Sequence, residues 1–335
     1  MLDEFYMRLA LNEAWKYQIL TYPNPPVGAA LLDRFDRLIA VAAHKKAGEP
    51  HAEVNAFFDG FCELCRDESK IAKLRALKTS EAICDFLRKN HDGLFSDTTL
   101  FVTLEPCARS GKTPACAPLI ADLGVKKAVI GCDDPNPKMA GGGAYLLERG
   151  VTVVRGAREK ECEALLEPFK IWLRRAFILF KWAQRLNGSI NDGKISSDPA
   201  LRETHAIRGV CDLLAIGGAT VRADRPVLDA RRANAKAPNV LIVSRRDDFD
   251  KTVPIFSVPD RSVSIAREIN LDRGLVLVEG GGGLLNYLAD RIDWLLCYES
   301  LALSGGNLSI AFDRDLELLR GDTIGDNIKL WLKIK

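Results

Sequence analysis

Apolar and polar positions follow regular patterns along the first part of the chain. Residues 3–20 carry apolar side chains at helical intervals, which predicts an amphipathic helix. Three prolines within residues 23–26 end that helix and favour an extended turn. Two apolar runs, residues 27–32 and 38–43, flank a polar segment and predict two strands joined by a turn. A second helix is predicted to open directly after Pro50.

The alternation of strand and helix patterns continues downstream. It predicts strands at 99–104, 127–131 and 151–155, and helices at 117–123 and 144–149. Pro106, shortly after the first of these strands, fits the first turn of a helix, where its missing N–H costs little. Strands that alternate with helices predict an α/β layered domain with a mostly parallel sheet.

A second α/β set begins at Phe177. Its strand candidates are residues 177–183, 213–217, 240–244, 275–279 and 294–298. The segment 156–176 is charged and helical in pattern, which is typical of a connection between domains. Since 335 residues are enough for two cores, we expect one domain over residues 1–160 and another over 174–335.

Four glycines at 280–283 follow the predicted strand at 275–279 and precede a helix opened by Leu284 and Leu285. In such an arrangement, backbone N–H groups and the helix dipole are able to bind a phosphate. The spaced-glycine fingerprint of dinucleotide-binding folds is incomplete here, and a turn for tight packing is the more common reason for a glycine run. Both interpretations stay open at this point.

Composition narrows the class of protein. The chain has 47 Lys and Arg residues against 45 Asp and Glu residues, so its net charge is +2 and gives no support to nucleic-acid binding. No apolar run approaches the length of a membrane span, and the first residues lack the pattern of a signal peptide. We therefore expect a cytoplasmic protein whose nine cysteines are reduced thiols or metal ligands.

The candidate chemistry is carried by His51, Glu53, Cys107 and Cys116. One imidazole and two thiolates suffice to hold a zinc ion and to leave its fourth position for a water, whose pKa the zinc lowers towards neutrality. A histidine, a nearby glutamate and a later Pro-Cys are typical of zinc-dependent deaminases, in which the glutamate transfers protons and is not a ligand. The alternative is a surface helix that bears His51 and two buried cysteines that never meet a metal.

The motifs resemble those of bifunctional riboflavin-biosynthesis deaminase-reductases over nearly the whole chain. Segments similar to the deaminase are PNPPVG (23–28), AGEPHAE (47–53), TLEPC (103–107), GKTPAC (111–116) and DPNP (134–137). Segments similar to the reductase are KWA (181–183), GATV (218–221), DRPVL (224–228), Arg231 and EGG (279–281). The resemblance implies a cytidine-deaminase-like three-layer α/β/α domain followed by a dihydrofolate-reductase-like α/β domain.

In that family, the deaminase removes the exocyclic amine of 2,5-diamino-6-(5-phosphoribosylamino)pyrimidin-4-one. The resemblance makes His51, Cys107 and Cys116 the ligands of one zinc ion per chain and Glu53 the proton carrier. The substrate contacts that it implies are Asn24, His44, Lys112, Asp134 and Asn136. Lys112 would contact the substrate phosphate, because a dianion is attracted to the point charge of an ammonium group. The alternative is that Lys112 is an ordinary solvated lysine of a loop.

The reductase of the family uses NADPH to open the ribosyl group to a ribityl chain. The implied cofactor contacts are Ala183, Ser196, Thr220, Asp224, Gly281, Gly282 and Gly283. The implied substrate contacts are Lys181, Arg208, Leu228, Arg231 and Glu279, with ordinary surface charges as the alternative for the two arginines. We expect a homo-oligomer that takes a small phosphorylated pyrimidine as its substrate and has no nucleic-acid or membrane partner.

The spacing between Glu53 and Cys107 is longer than in most members of the family. Residues 60–97 resemble an insertion with charged, helix-favouring sequence. Cys62 and Cys65 lie within this stretch, but a lone C-x-x-C without a second pair is an incomplete metal motif. We interpret them as two ordinary thiols.

Other departures concern the substrate and cofactor sites. In the deaminase, Ala108 and Arg109 replace the Ser-His that usually follows Cys107. In the reductase, an aspartate is replaced by Asn187, a tryptophan by Lys194 and an arginine by Leu201. These changes predict weaker cofactor binding and keep open a deaminase whose C-terminal domain serves only for dimerisation. A deaminase acting on a base in nucleic acid is another alternative, although it leaves the C-terminal domain unexplained.

Overall fold

The computed structural model describes residues 2–191 and 193–335. The chain forms two compact units, Met1–Lys170 and Ile171–Lys335, each built around one β-sheet. Both units are of the expected α/β class. Across the described ranges, the helices are too short or too polar to cross a bilayer.

The first unit has a five-stranded sheet in the order β2-β1-β3-β4-β5. Its strands are β1 (Gly28–Leu32), β2 (Leu38–Ala43), β3 (Thr99–Leu104), β4 (Lys127–Cys132) and β5 (Thr152–Arg155). Its helices are α1 (Leu2–Trp15), α2 (Ala52–Leu64), α3 (Glu68–Ala76), α4 (Ser80–Asn90), α5 (Cys116–Asp122), α6 (Gly142–Glu148) and α7 (Glu159–Leu165), and α8 (Glu167–Trp172) leads into the second unit.

The sheet of this unit is mostly parallel, as expected: β2, β3, β4 and β5 run in the same direction, and β1 is the exception. β1 is antiparallel to both of its neighbours, β2 and β3. The five residues between β1 and β2 explain the exception, because a parallel pair needs a crossover of a dozen or more residues.

The sheet of the first unit lies between two helical layers. A Cβ on Gly28 would lie 1.9 Å from the carbonyl oxygen of Ala10 in α1, whereas Leu31 lies against Gly60 in α2. Because successive strand residues face opposite sides of a sheet, α1 and α2 cover opposite faces. α7 packs with α1, and α3, α4 and α5 pack around α2, which is the expected three-layer arrangement.

The stretch that resembles an insertion is helical, as its sequence predicts. Residues 60–97 begin inside α2 and contain α3 and α4. Asp67 caps α3 by accepting hydrogen bonds from the backbone of Ser69 and Lys70, and Thr79 caps α4 in the same way. This stretch is therefore an ordered part of the helical layer over α2.

The prediction that Pro106 opens a helix is wrong. Residues 105–115, all of them described, are irregular, and α5 begins at Cys116. Glu105 still donates its backbone N–H to the Cys132 carbonyl at 2.9 Å, so the chain stays paired with β4 beyond the end of β3. Gly142 then covers the Pro106 carbonyl so closely that a Cβ would lie 1.7 Å from its oxygen. Tertiary packing decides the conformation here.

The second unit has an eight-stranded sheet in the order β12-β13-β11-β6-β10-β7-β8-β9. Its strands are β6 (Ala176–Arg185), β7 (Leu213–Gly217), β8 (Asn239–Val243), β9 (Val263–Ala266), β10 (Gly274–Glu279), β11 (Trp294–Ser300), β12 (Leu316–Ile324) and β13 (Asn327–Ile334). Its helices are α9 (Asp198–Val210), α10 (Gly218–Asp224) and α11 (Gly282–Leu288).

The six strands from β11 to β9 are parallel, and the hairpin β12–β13 adds two antiparallel strands beside β11. The sequence pattern predicted β6, β7, β8, β10, β11 and the helix after β10. It did not predict α9, α10, β9, β12 or β13. In a parallel sheet the carboxyl ends of the strands share one edge, where α/β folds bind their ligands.

Candidate functional site

His51, Cys107 and Cys116 form a cluster of potential metal ligands. One donor atom from each lies within 4.8 Å of the others. The Nδ1 atom of His51 is 3.8 Å from Sγ of Cys107 and 3.4 Å from Sγ of Cys116. Within residues 2–191 and 193–335 it is the one group of at least three histidine, cysteine or carboxylate side chains with this geometry.

Three elements bring the cluster together. His51 is the N-cap of α2, Cys107 lies in the irregular segment after β3, and Cys116 is the first residue of α5. The backbone N–H of Cys116 donates to Sγ of Cys107 at 3.2 Å, and the backbone of Ala117 donates to the Cys107 carbonyl at 3.1 Å. These bonds hold the two sulfur atoms on the same side of the loop, facing the imidazole.

The second ring nitrogen of His51, Nε2, has a polar neighbour of its own. It lies 3.1 Å from the hydroxyl of Thr113, in the loop between the two cysteines. If Nε2 carries the proton and donates to that hydroxyl, Nδ1 presents its lone pair to the sulfur atoms. This is how protein metal sites orient a histidine ligand through a neighbouring polar group.

The two cysteines differ in acidity. Hydrogen bonding from Cys116 lowers the pKa of the Cys107 thiol, while the same bond raises the pKa of Cys116. Cys107 is therefore the more readily ionised of the two. A thiolate is the form that binds a metal.

Glu53 lies in the first turn of α2, two residues after His51, and is 3% exposed. Burial raises the pKa of its carboxyl group above the ordinary value. A buried carboxyl group beside a cluster of metal ligands is suited to take up and release a proton.

His44 and Asn24 form a pair beside this cluster. The His44 ring meets the His51 ring edge to face at 5.4 Å. His44 Nδ1 lies 3.0 Å from the Pro50 carbonyl, which only accepts, so Nδ1 carries the proton and Nε2 accepts from the Asn24 amide at 3.0 Å. Burial lowers the pKa of His44 to about 4, which keeps this ring neutral at neutral pH.

Asp134 and Asn136 lie in the loop between β4 and α6. Asp134 accepts from the backbone N–H of Asn136 at 2.8 Å, and Asn136 accepts from that of Lys138 at 3.1 Å. Burial raises the pKa of Asp134 to about 6, with the nearby Cys107 and Glu105 adding to the rise.

Glu105 is a buried residue of this region to which sequence reasoning gave no role. Its carboxylate accepts from the backbone N–H groups of Gly141 and Gly143, at 3.2 and 3.0 Å, and from Arg155 at 2.8 Å. It therefore ties the loop of Asp134 to the segment of Cys107. The signal in the sequence was its place in the TLEPC segment (103–107), which did not reveal its role because its partners lie 36 to 50 residues further along.

Lys112, Cys62 and Cys65 are less involved in the cluster. Lys112 is exposed in the loop between Cys107 and Cys116, as is Arg109. Cys62 and Cys65, at the end of α2, are half-buried and do not belong to the group of potential ligands. Burial raises the pKa of Cys62, which disfavours the thiolate.

The second unit contains a cleft of about 620 Å³ along the carboxyl edge of its sheet. Four of the predicted cofactor residues line it: Thr220, Gly281, Gly282 and Gly283. Ala183, Ser196 and Asp224 are not among the lining residues, and Asp224 is exposed at the end of α10. Ser244, Arg245 and Arg267 also line the cleft, although the sequence analysis did not single them out.

Buried charges meet beside the carboxyl ends of β6 and β10. Arg208 forms two hydrogen bonds with the carboxylate of Glu279, at 2.6 and 2.8 Å, and Lys181 is the register partner of Glu279. Burial would raise the pKa of Glu279, but the Arg208 guanidinium holds it at about 2. Burial lowers the pKa of Lys181, whose Nζ lies 5.5 Å from the centre of the Tyr298 ring. Arg208 is thus part of a buried ion pair.

Of the remaining residues that the sequence analysis named for the reductase, one is buried and the others make contacts with neighbouring residues of the same unit. Leu228 is buried in the left-handed region at φ 55°, and Arg231 is exposed and bonded to Asp229 at 2.6 Å. Lys194 pairs with Asp198 at 2.9 Å, and Asn187 donates to the Ser304 carbonyl at 2.7 Å. The two replaced residues are thus engaged by neighbours in the same unit.

Known proteins resemble this chain over both halves. The family described as cytidine and deoxycytidylate deaminase zinc-binding region matches residues 1–132. Riboflavin biosynthesis protein RibD of Actinobacillus pleuropneumoniae is 34% identical over 71% of this chain. RibD of Synechocystis sp. is 30% identical over 81% of it. The chain spans 57% of the first relative's length and 67% of the second's.

A solved structure from Thermotoga maritima, a diaminohydroxyphosphoribosylaminopyrimidine deaminase/5-amino-6-(5-phosphoribosylamino)uracil reductase, is 26% identical. The similarity covers 100% of this chain and 99% of that one, with a TM-score of 0.67.

Proposed function

This chain belongs to the family of riboflavin biosynthesis protein RibD, and from that premise we propose that it is a bifunctional enzyme of riboflavin biosynthesis. Its first domain would deaminate 2,5-diamino-6-(5-phosphoribosylamino)pyrimidin-4-one hydrolytically with zinc. Its second domain would reduce the ribosyl group of the product to a ribityl chain with NADPH.

The observation that carries the deaminase proposal is the cluster of His51, Cys107 and Cys116 with Glu53 beside it. One imidazole and two sulfur ligands fit zinc, and the two cysteines together with the imidazole leave a fourth tetrahedral position open. Zinc, when bound, supplies Lewis-acid activation of water at neutral pH.

Glu53 would transfer the protons of the reaction. Its carboxyl group is buried, and burial raises its pKa, so it is able to act first as a base and then as an acid. It would take a proton from the attacking water and pass it to a ring nitrogen as oxygen adds to the ring carbon. It would then take the second proton from the hydroxyl group on that carbon and pass it to the amine, which leaves as ammonia while the carbonyl forms. The helix α2 holds it at a constant distance from His51.

Asn24 and His44 would orient the pyrimidine. Because His44 keeps Nδ1 on the Pro50 carbonyl, its Nε2 fixes the Asn24 amide in one orientation. The side-chain oxygen of Asn24 is then the acceptor that this amide offers to a substrate amine. Asp134 and Asn136, whose loop is held by Glu105 through the glycines at the start of α6, would contact the substrate from the opposite loop.

Lys112 would meet the phosphate of the substrate. Lys112 lies between the proposed ligands Cys107 and Cys116, so its exposed ammonium group is on a loop whose ends are bonded to each other. A phosphate dianion attracts such a charge without requiring a fixed geometry.

The reductase proposal is supported by the cleft in the second unit. The glycines at 281–283 let the chain approach a dinucleotide closely, and Thr220 adds a hydroxyl group to the same wall. Lys181, Arg208 and Glu279 are the proposed substrate contacts, with Leu228 and Arg231 beside them. Ala183, Ser196 and Asp224 remain proposed cofactor contacts on the family resemblance, and they are not among the residues that line the cleft.

The deaminase proposal is tested by metal removal from the full chain. Ammonia release from the diaminopyrimidinone phosphate is measured for the purified protein, for protein treated with a zinc chelator, and after zinc is restored. We expect release to follow the zinc content and to recover on reconstitution. Release that persists after complete metal removal, or no release from the zinc-loaded chain, would contradict the proposal.

A further inference from the structure

A row of buried polar side chains crosses one face of the sheet in the second unit. In strand order it runs from Glu279 on β10 to Lys181 on β6, Tyr298 on β11 and Lys329 on β13. Glu279 is the register partner of Lys181. Tyr298 is the register partner of Lys329. Leu296, the partner of Lys181 on β11, lies two residues before Tyr298, so these side chains share one face of the sheet.

Helix α9 supplies the counter-charges of this row. Arg208 binds the carboxylate of Glu279 with two hydrogen bonds. Glu203 accepts one hydrogen bond from the Tyr298 hydroxyl group at 2.7 Å and another from the Lys329 ammonium group at 3.0 Å. Both carboxylates therefore have strong, charge-assisted partners already.

The ammonium group of Lys181 has an aromatic neighbour in place of an ion pair. Across residues 2–191 and 193–335, none of the carboxylates lies within ion-pair distance of its Nζ. This atom lies 5.5 Å from the centre of the Tyr298 ring. The face of an aromatic ring attracts a cation, most strongly where water is excluded, as in this buried layer. The ring therefore offsets part of the cost of burying an unpaired ammonium group.

Tyr298 is held in place by its hydroxyl group. Burial raises the pKa of its phenol well above the ordinary value, so the hydroxyl group stays protonated and donates to Glu203. This charge-assisted bond fixes the ring beside Lys181. Tyr298 is fully buried and is not among the residues that line the cleft, so it would act on a substrate through Lys181.

Four groups act on the ammonium group of Lys181: Glu279 from β10, Arg208 from α9, and Cys297 and Tyr298 from β11. Burial lowers the pKa of Lys181, Glu279 opposes this change and Arg208 adds to it. Burial raises the pKa of the Cys297 thiol to about 12, so the thiol is uncharged near neutral pH. The ring stabilises only the charged form of the lysine. Its removal therefore lowers the pKa of Lys181.

We propose that Tyr298 is a positioning residue of the reductase, whose ring holds the charged ammonium group of Lys181 where the substrate meets it. The inference rests on the proposed reductase function, in which Lys181 contacts the substrate. It adds a residue to which the sequence analysis gave no role. It also explains how a buried ammonium group without an ion pair stays charged.

Tyr298→Phe and Tyr298→Leu form a matched pair of variants of the full chain. Both lose the hydroxyl group, but only the leucine variant loses the ring. Reduction of the deaminated substrate is measured against pH at saturating NADPH. We expect kcat/KM to fall as the pH rises through the pKa of Lys181, because the ammonium group is lost. In Tyr298→Leu this fall should begin roughly one pH unit lower, with KM about tenfold higher where the wild-type lysine is still charged.

The phenylalanine variant should stay within about threefold of the wild-type KM, because it keeps the ring. NADPH affinity should be the same in all three chains, since Tyr298 does not line the cleft, and this shows that the variants are folded. A loss of kcat/KM that is equal at every pH would indicate a merely structural role and overturn the proposal.

Titration of Lys181 itself needs no turnover. In the full chain with ¹³C-labelled lysine, the NMR signal missing from Lys181→Met identifies the residue. Its pKa should fall by roughly one unit in Tyr298→Leu and by less than half as much in Tyr298→Phe. Phenylalanines with one, two and three fluorines at the same position keep the shape of the ring and weaken its attraction for a cation stepwise. The pKa of Lys181 should fall with each fluorine.

Two results separate this proposal from the reductase function on which it rests. A Lys181 titration that does not change in the leucine and fluorinated chains, or that shifts equally in the phenylalanine and leucine variants, would overturn the role of the ring and leave the reductase proposal intact. A wild-type chain that oxidises no NADPH with the deaminated substrate would overturn the reductase proposal, and with it the positioning role, even where the titration shifts as expected.

Discussion

The hydroxyl group of Thr113 is positioned to orient the imidazole of His51 towards the two cysteines. Thr113 lies 3.1 Å from Nε2, so the bond between them leaves Nδ1 for a metal. Thr113→Val keeps the shape of the side chain but removes the acceptor. We expect zinc affinity to fall by roughly ten- to a hundredfold, as for other residues that orient metal ligands. Competition with a chromophoric chelator measures this affinity.

Thr113→Ser is the matched control, because it keeps the hydroxyl group and loses only a methyl group. It should retain most of the zinc affinity. If the serine variant loses as much affinity as the valine variant, the hydroxyl group is not what positions the imidazole.

Glu53 is predicted to transfer protons without binding the metal. Glu53→Gln keeps the size and burial of the side chain but removes the titrating group. Ammonia release should fall by at least roughly a hundredfold, in the range lost when a general acid-base group is removed, while metal analysis still finds one zinc per chain. Loss of zinc from this variant would instead make Glu53 a ligand.

Lys112 is predicted to bind the substrate phosphate. Since its ammonium group is exposed and the ends of its loop are bonded to each other, Lys112→Ala should leave zinc content and folding unchanged. We expect KM for the phosphorylated substrate to rise about tenfold or more, since hydrogen bonds to charged groups contribute roughly 1.5–3 kcal/mol. The dephosphorylated analogue should show little change. An equal rise in KM for both substrates would show that Lys112 does not bind the phosphate.

At the scale of elements, the helical stretch after α2 separates the two halves of the metal site in sequence without taking part in it. Cys62 and Cys65 lie just before it, at the end of α2 and outside the cluster of potential ligands. Cys62→Ala and Cys65→Ala together should therefore leave zinc content and the rate of ammonia release nearly unchanged. Metal analysis checks this, and a fall to half of the wild-type zinc content would reveal a second site in this stretch.

Elements with a strong local signal were predictable from the sequence. The apolar runs at 99–104 and 275–279 correspond to β3 and β10, because a strand buried on both faces needs apolar side chains throughout. β12 was not predictable in this way. It lies at the edge of its sheet with most of its residues partly or fully exposed, so charged residues alternate with apolar ones. Pro106 misled the prediction because Gly142, far along the chain, fixes its surroundings.

The residues of the candidate sites also differ in how far their sequence motifs made them predictable. His51, Cys107 and Cys116 were predictable because the chemistry demands those residue types and their motifs are local. Tyr298 had no such motif, since only strand register brings it to Lys181. Glu105 was missed for the same reason. Asp224 lies exposed outside the cleft, so its proposed cofactor contact rests on the family resemblance.

At the scale of the whole molecule, the chain joins two α/β units, each with its own sheet and its own candidate site. The metal cluster lies wholly in the first unit and the cleft wholly in the second. The two proposed reactions are therefore separable: the first needs zinc and no cofactor, and the second needs NADPH and the product of the first. The alternative, in which the second unit serves only for dimerisation, predicts no use of NADPH.

The most direct test supplies the full zinc-loaded chain with the diaminopyrimidinone phosphate, with and without NADPH, and identifies the products by mass spectrometry. Without NADPH, we expect the deaminated ribosylamino product alone. With NADPH, we expect a product that carries two additional hydrogens, with one NADPH oxidised for each molecule formed. The deaminated compound accumulating unchanged in the presence of NADPH would contradict the bifunctional account, and an unchanged starting compound under both conditions would contradict it entirely.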